Sequence, residues 1–224
     1  MEGPAEGTHY ATVTSHSDDR VKLHSRVCKY VEATSPDNFL DTLKSFTNQI
    51  MWDFMHADGD GEWITEAILN VTLDIAHDGS YQPEITKDVC STAVWVRCRV
   101  TKKQMFVSFA EKSSHASSYR SEILGAIAAQ LILRAATRNA AAQYQVVPTY
   151  CDNKGVLNHG NQAEKELKEK QAQFNVLHVM KTLIADSPVT SDFHWVEGHS
   201  VEKKGLSNCT HPEIMNDLVD KLAH

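Results

Sequence analysis

Apolar positions along this chain change their period several times, and each change marks an element. Phe39, Leu43, Phe46, Ile50 and Phe54 recur at three- and four-residue spacings, the stripe of an amphipathic helix. Ser35-Pro36-Asp37 before it offers an N-cap, a proline at the first helical position and an acid in the first turn. From Ala67 the period falls to two. Leu69, Val71, Leu73 and Ile75 alternate with Asn70, Thr72, Asp74 and Ala76 until Asp78-Gly79-Ser80 breaks the run, which predicts a strand. Two more strands are predicted over 89–100 and 104–110, joined by the polar turn Thr101-Lys102-Lys103, and such short spacing predicts an antiparallel meander. A helix over 117–142 is apolar on most sides from Ile123 to Leu133, so it is expected to be covered by the sheet and by other helices. A short strand follows at 145–151, weakened by Pro148 because proline cannot donate to a ladder. A helical turn at 153–159, a longer helix over 162–186 with a solvated mixed-charge start, a strand at 192–197 and a last helix complete the pattern. That last helix opens on the capping-box spacing Thr210-His211-Pro212-Glu213.

With 224 residues, 42% of them hydrophobic and 23% charged, the chain can bury one sizeable core and a smaller accessory region. No apolar stretch approaches the roughly 18 residues of a membrane span, and the start lacks the basic and apolar regions of a secretory signal, so an intracellular location (cytoplasmic or nuclear), with no membrane partner, is expected. Cys28, Cys90, Cys98, Cys151 and Cys209 are scattered, without a Cys-x-x-Cys pair, which supports neither a disulfide framework nor a zinc site. The net charge of −7 is uneven: residues 1–62 carry 5 basic and 11 acidic side chains, leaving residues 63–224 at −1. We therefore read 1–62 as an acidic N-terminal extension or linker with one amphipathic helix, and 63–224 as the main domain. The segment His56–Glu62 between them reads as a solvated turn. An EF-hand fails there, because Trp63 stands where glycine is needed and Leu69 where the closing Glu would be.

Four carboxylates stand where apolar elements end: Asp78 at a strand end, Glu122 opening the apolar helix, Asp152 closing a strand and Asp220 near the C-terminus. A fold that gathers those ends makes a negative pocket that divalent cations neutralise, a setting for phosphate chemistry. Each acid also has a plainer reading. Asp78 suits a turn, Glu122 a helix dipole, Asp152 an N-cap and Asp220 an exposed helix face. Asp74 shares a strand face with Asp78, and Asp217 lies one helical turn from Asp220, so either is an alternative to its neighbour.

The segments DGSY at 78–81, SSYRSEILGA at 117–126, TYCDNKGVLN at 149–158, WVEGH at 195–199 and NDLVDKLA at 216–223 together resemble ribonuclease H, over roughly residues 67–224. In SSYRSE, CDNKG and the late histidine loop the chain most resembles the ribonuclease H domains of retroelement (retrotransposon) reverse transcriptases. The resemblance implies an α/β, ribonuclease H-like fold: a mixed five-stranded sheet, three antiparallel strands plus two parallel, flanked by helices, here with an N-terminal helical extension. It implies hydrolysis of the RNA strand of RNA/DNA hybrids with two magnesium ions, manganese able to substitute. It also implies a reverse transcriptase domain as partner in a parent polyprotein. By the same resemblance Asp78 bridges both ions, Glu122 and Asp152 hold the ion at the leaving group, and Asp220 holds the ion that activates water.

The resemblance gives His199 a part in proton transfer or product departure; the stretch from it to the final Asp is longer than in cellular ribonucleases H, so His211 is the other candidate. Ser80, Asn153 and Asn158 are candidate polar contacts to substrate, and Arg120, Lys203 and Lys204 candidate phosphate contacts. The segment after the third acid, Gln162 to Lys168, has no net positive charge, so the domain's own grip on a hybrid is expected to be modest. Two other functions compete: a DNA nuclease of the same fold, of transposase or resolvase type, and a non-catalytic nucleic-acid-binding module. The Asp-Gly-Ser start and the late histidine loop weigh against the first. Retention of four acids weighs against the second, since buried unpaired carboxylates are costly without metal.

Overall fold

The computed structural model of the protein describes residues 9–15, 21–27, 38–46, 49–139, 145–168 and 170–224. Ser35-Pro36-Asp37 and Cys28 lie outside the described residues, as does the far end of the expected helix over 117–142. The chain divides at residues 37 and 38 into two units. In the first, β1 (His9–Ser15) and β2 (Val21–Val27) pair antiparallel, His9 opposite Val27 and Ser15 opposite Val21.

The second unit begins with α1 (Phe39–Ser45), capped by the Asn38 side chain, which accepts from the Asp41 amide at 2.9 Å. The expected helix does not continue to Phe54. A 3-10 turn occupies Gln49–Trp52 and a short strand, β3 (Phe54–Ala57), follows. The apolar spacing that predicts one long helix therefore belongs to two different elements. Phe39 and Leu43 are fully buried, whereas Phe54 is 74% exposed on the strand. Phe39, Leu43 and Trp52 share one core with Ile75 and Ile132, so residues 38–62 are built into the main unit, whose boundary lies at residue 37 rather than at 62.

Next come α2 (Trp63–Leu69), β4 (Leu73–Ser80), β5 (Val89–Cys98), β6 (Gln104–Lys112) and α3 (Ser118–Ala136). Then follow β7 (Val146–Cys151), α4 (Lys154–Gly160), α5 (Phe174–Ala185), β8 (Thr190–Trp195), α6 (Ser200–Lys204) and α7 (His211–Ala223). Helix α2 takes the place where the strand was expected to begin. Trp63, Ile64, Ala67 and Ile68 form its buried face, and Val71, with φ +55°, turns the chain into β4. Helix α5 is shorter than expected: residues 161–164 form turns, and the helix starts only after Gln173, which lies in the left-handed region.

The sheet has six strands in the order β3-β6-β5-β4-β7-β8, one more than the five expected. The extra strand is β3, antiparallel to β6 with Phe54 opposite Ser108. β4, β5 and β6 form the antiparallel meander, and β7 and β8 run parallel to β4. Pro148 lies inside β7, whose register with β4 begins just after it, at Ile75 with Thr149, where backbone amides are again free to donate. On one face of the sheet, α3 is buried nearly all round. On the other, Met215, Val219 and Ala223 of α7 pack on Ala76, Ala93 and Trp95. Strand β4 is thus covered on both faces and buried along nearly its whole length. Thr210 and Glu213 close the expected capping box at the head of α7.

Candidate active site

Parallel strands end on the same side, so the C-terminal ends of β4 and β7 lie together, where the order changes from antiparallel to parallel. A crevice outside carboxyl ends at such a switch is a common ligand site. Asp78 stands near the end of β4 and Asp152 directly follows β7. Glu122 lies in the first turns of α3, whose start is fixed by Ser117, its hydroxyl accepting from the Arg120 amide at 3.1 Å. Strand and helix approach closely because residue 79 has no side chain. A Cβ there would lie 2.6 Å from the Glu122 amide nitrogen and collide with the Ser121 hydroxyl. Gly79→Ala must therefore push β4 and α3 apart. We expect a loss of about 1–3 kcal/mol in a urea melt, together with weakened Mg²⁺ binding, because the same shift separates Asp78 from Glu122.

One carboxylate oxygen from each of Asp78, Glu122 and Asp152 lies within 4.8 Å of the others. Asp220, on α7, lines the same cleft of about 460 Å³. Asp78 and Glu122 are 5% and 4% exposed. Burial, with the charges of Asp152 and Asp220 beside it, raises the Asp78 pKa to about 7, against the pull of the Gly79 amide, which donates to its Oδ1 at 2.7 Å. Burial and the charges of Asp78 and Asp152 hold Glu122 well above the usual carboxylate range, and burial raises Asp152 as well. Glu122 Oε2 is buried without a hydrogen-bond partner. Its neighbour, His77 Nδ1 at 3.9 Å, is no counter-charge, because complete burial lowers that imidazole's pKa to about 3. Among the described residues no Lys or Arg pairs with any of the four acids. An oxygen-only donor set with an orphaned buried oxygen and no internal cation fits hard divalent ions such as Mg²⁺ or Mn²⁺.

His199 follows Gly198 with φ +53° and places Nδ1 3.4 Å from Asp220 Oδ2. A Cβ on Gly198 would strike the Asp152 carboxylate, so this turn packs directly on the third acid. His211 is elsewhere, at the head of α7, with Nε2 3.9 Å from Asp74 Oδ2. Asp74 is bound to Arg99 at 2.7 Å and Asp217 to Lys221 at 2.7 Å. Both are paired with an Arg or a Lys, whereas among the described residues Asp78 and Asp220 in the cleft are not.

Ser80 borders the cleft, and Asn158 is exposed on α4. The Asn153 side chain caps α4, accepting from Gly155 at 3.0 Å and Val156 at 3.2 Å. Arg120 is not an open phosphate contact. It is 5% exposed, grips Glu111 with two nitrogens at 2.5 and 2.7 Å, and reaches Gln173 at 3.0 Å, tying β6, α3 and the start of α5 together. Lys203 pairs with Glu197 and Lys204 with Glu213. Sequence reasoning missed His224, whose Nε2 is 3.6 Å from Asp220 Oδ1, and Trp195, whose indole donates to the Asp152 carbonyl at 3.0 Å. For His224 the signal was its four-residue spacing from Asp220 on the last helix. For Trp195 it was only an aromatic residue at a strand end.

No protein-family model and no curated protein matches the sequence. Among solved structures, the chain is similar to the PFV RNase H domain in solution, at 16% identity and a TM-score of 0.49 over 68% of this chain and 92% of that one. It is also similar to the N-terminal RNase H domain of a Mycobacterium tuberculosis protein, at 15% identity and a TM-score of 0.45 over 67% and 89%. A third is the prototype foamy virus protease-reverse transcriptase, at 14% identity and a TM-score of 0.48 over 68% of this chain and 20% of that one. By its own topology, a three-stranded meander extended by two parallel strands with helices on both faces, the chain has a ribonuclease H-like fold carrying one added edge strand.

Proposed function

We propose that this protein is a metal-dependent endonuclease that hydrolyses the RNA strand of RNA/DNA hybrids, as the ribonuclease H module of a retroelement reverse transcriptase. One observation carries the reading: two buried carboxylates and a half-buried third share a site with a fourth lining the same cleft, and among the described residues no Lys or Arg pairs with any of them. The motifs around them, DGSY, SSYRSE, CDNKG and WVEGH, support the hybrid as substrate and the reverse transcriptase as partner. No described helix is long and apolar enough to cross a membrane.

In this reading Asp78, Glu122, Asp152 and Asp220 hold two divalent ions, magnesium or manganese. When bound, the ions lower the pKa of the attacking water and offset charge gathering on the phosphorus and the leaving oxygen. The protein's own groups do the remaining work. Buried Asp78 and Glu122 present their oxygens in fixed positions, because Gly79 locks the strand against the helix and Thr92 Oγ1 holds the Asp78 carbonyl at 2.8 Å. His199 stands at the rim with its ring anchored by Asp220, where its outer edge can carry a proton to the departing product. Substrate choice rests on 2′-hydroxyls and the A-like groove rather than on base sequence.

Incubation with end-labelled RNA/DNA hybrid, duplex RNA and duplex DNA, with Mg²⁺ or with EDTA, tests this directly. Cleavage confined to the RNA of the hybrid and lost in EDTA is the expected result. Cutting of duplex DNA identifies the transposase or resolvase type instead, and binding without cleavage of any substrate rejects the enzyme.

A further inference from the structure

The chain has four tryptophans, and three of them, Trp52, Trp63 and Trp95, are buried at 3–5% exposure. The fourth, Trp195, is 47% exposed at the end of β8. Leaving so large an apolar ring in water forgoes the gain of burying it, so an exposed indole held in one orientation invites a ligand. It is held. Its N–H is bonded to the backbone of Asp152, within the acidic cluster. Lys154, exposed at the head of α4, places Nζ over the indole ring, 4.9 Å from its centroid, a cation–π contact that ties the two side chains together. Among the described residues Lys154 makes no ion pair, whereas Lys203, Lys204 and Arg120 are all matched to carboxylates. A half-exposed indole and an ammonium that has no carboxylate partner among the described residues thus sit together, the indole bonded to the backbone of an acid of the candidate site.

We infer that Trp195 and Lys154 form a subsite for one sugar-phosphate unit of the nucleic-acid strand that enters the acidic cleft, the indole packing on the sugar and the ammonium taking the phosphate. In a duplex the bases face inward, so an aromatic side chain approaching from outside meets sugar rather than base. The two residues are neighbours because Lys154 lies two positions beyond Asp152 and the indole is bonded to Asp152 itself, which fixes the subsite one short step from the carboxylates. The inference rests on the nuclease reading and adds to it a binding subsite outside the metal-holding residues.

The test uses the full chain carrying Glu122→Gln, which keeps a hybrid intact in Mg²⁺, with fluorescence anisotropy for binding and acrylamide quenching of tryptophan emission for the site. Since the other three indoles are buried, quenching reports Trp195. The quenching constant should fall at least about twofold when the protein is saturated with hybrid. Trp195→Ala should weaken hybrid binding roughly tenfold, the order expected for losing the burial of a half-exposed ring against the sugar, while Trp195→Phe, which keeps a ring but loses the N–H, should keep most of the affinity. Lys154→Gln should reduce the slope of log affinity against log salt by about one contact. Bound hybrid with unchanged quenching overturns the subsite and leaves the nuclease reading standing. So does an otherwise wild-type enzyme in which Trp195→Phe and Trp195→Ala lower kcat equally at unchanged KM, since that identifies an indole acting only through its bond to Asp152. If wild-type protein neither binds nor cuts the hybrid, the nuclease reading fails and the subsite fails with it.

Discussion

Replacing Asp78 by Asn is expected to abolish cleavage of the hybrid while making the metal-free protein more stable, two effects of opposite sign from one removed charge. Asp78 is 5% exposed, and its carboxylate is opposed by Asp152 and Asp220, while among the described residues no Lys or Arg pairs with it. Asparagine fills the same volume without the charge, so in EDTA at pH 8 the variant should gain on the order of 3 kcal/mol, seen as a rise in Tm of about 5–10 °C. In Mg²⁺ the order reverses. Wild type gains stability by binding ions to its folded state, whereas the variant, short of a ligand, gains little. Activity should fall at least about a thousandfold, roughly 4 kcal/mol of transition-state stabilisation. An Asp78→Asn variant that cuts at the wild-type rate would remove Asp78 from the site. Melting temperatures that respond to Mg²⁺ equally in both proteins would place the ions elsewhere.

Stability of the metal-free protein should fall as pH rises from about 4 to about 7, the reverse of the usual behaviour of a salt-bridged carboxylate. A carboxyl whose folded-state pKa lies above its unfolded value carries an extra proton in the native state between the two, so native stability is highest at the acid end and is lost as that proton leaves. For Asp78 the values are 3.8 and about 7, which makes the difference on the order of 4 kcal/mol across this window. Glu122, held well above the usual range, acts in the same direction. Urea melts in EDTA at pH 5 and pH 8 measure the change. In excess Mg²⁺ the slope should diminish or invert, because ions bind the deprotonated acids and compete with protons. A metal-free protein more stable at pH 8 than at pH 5 would show that the acids are not crowded together as the structure places them.

Strand β4, the meander and the helix after it are legible in the sequence because their signals are local. The period-two run ending at Asp78, the apolar run from Ile123 to Leu133 and the Thr210–Glu213 box each act within a few residues of the chain, and the structure closes the Thr210 box as expected. The same locality misleads between Phe39 and Phe54, where a helical spacing of aromatics spans a helix, a 3-10 turn and an edge strand. Helix α2 is hidden in a similar way. Leu69 and Val71 fit the alternation of the strand to come, while Trp63, Ile64, Ala67 and Ile68 already form a buried helical face. Arg120 shows a different limit. A cation beside an acid motif reads as a phosphate contact, and only the long-range approach of Glu111 and Gln173 shows its donors already taken.

The sequence by itself determined which side chains are candidates for the chemistry and where most elements begin, since caps, alternation and turn residues are energies of neighbouring positions. What only the tertiary structure decided is which of those groups meet. Gly79 and Gly198 admit α3 and the His199 turn against the acids, and α7 lies along β4 so that His211 reaches Asp74 while Asp220 lines the cleft with Asp78. The burial that raises the carboxyl pKa values likewise exists only after the two faces of the sheet are covered. These are contacts between residues far apart in the chain, selected by close packing and by the absence of a Cβ at two positions, and no local period encodes them.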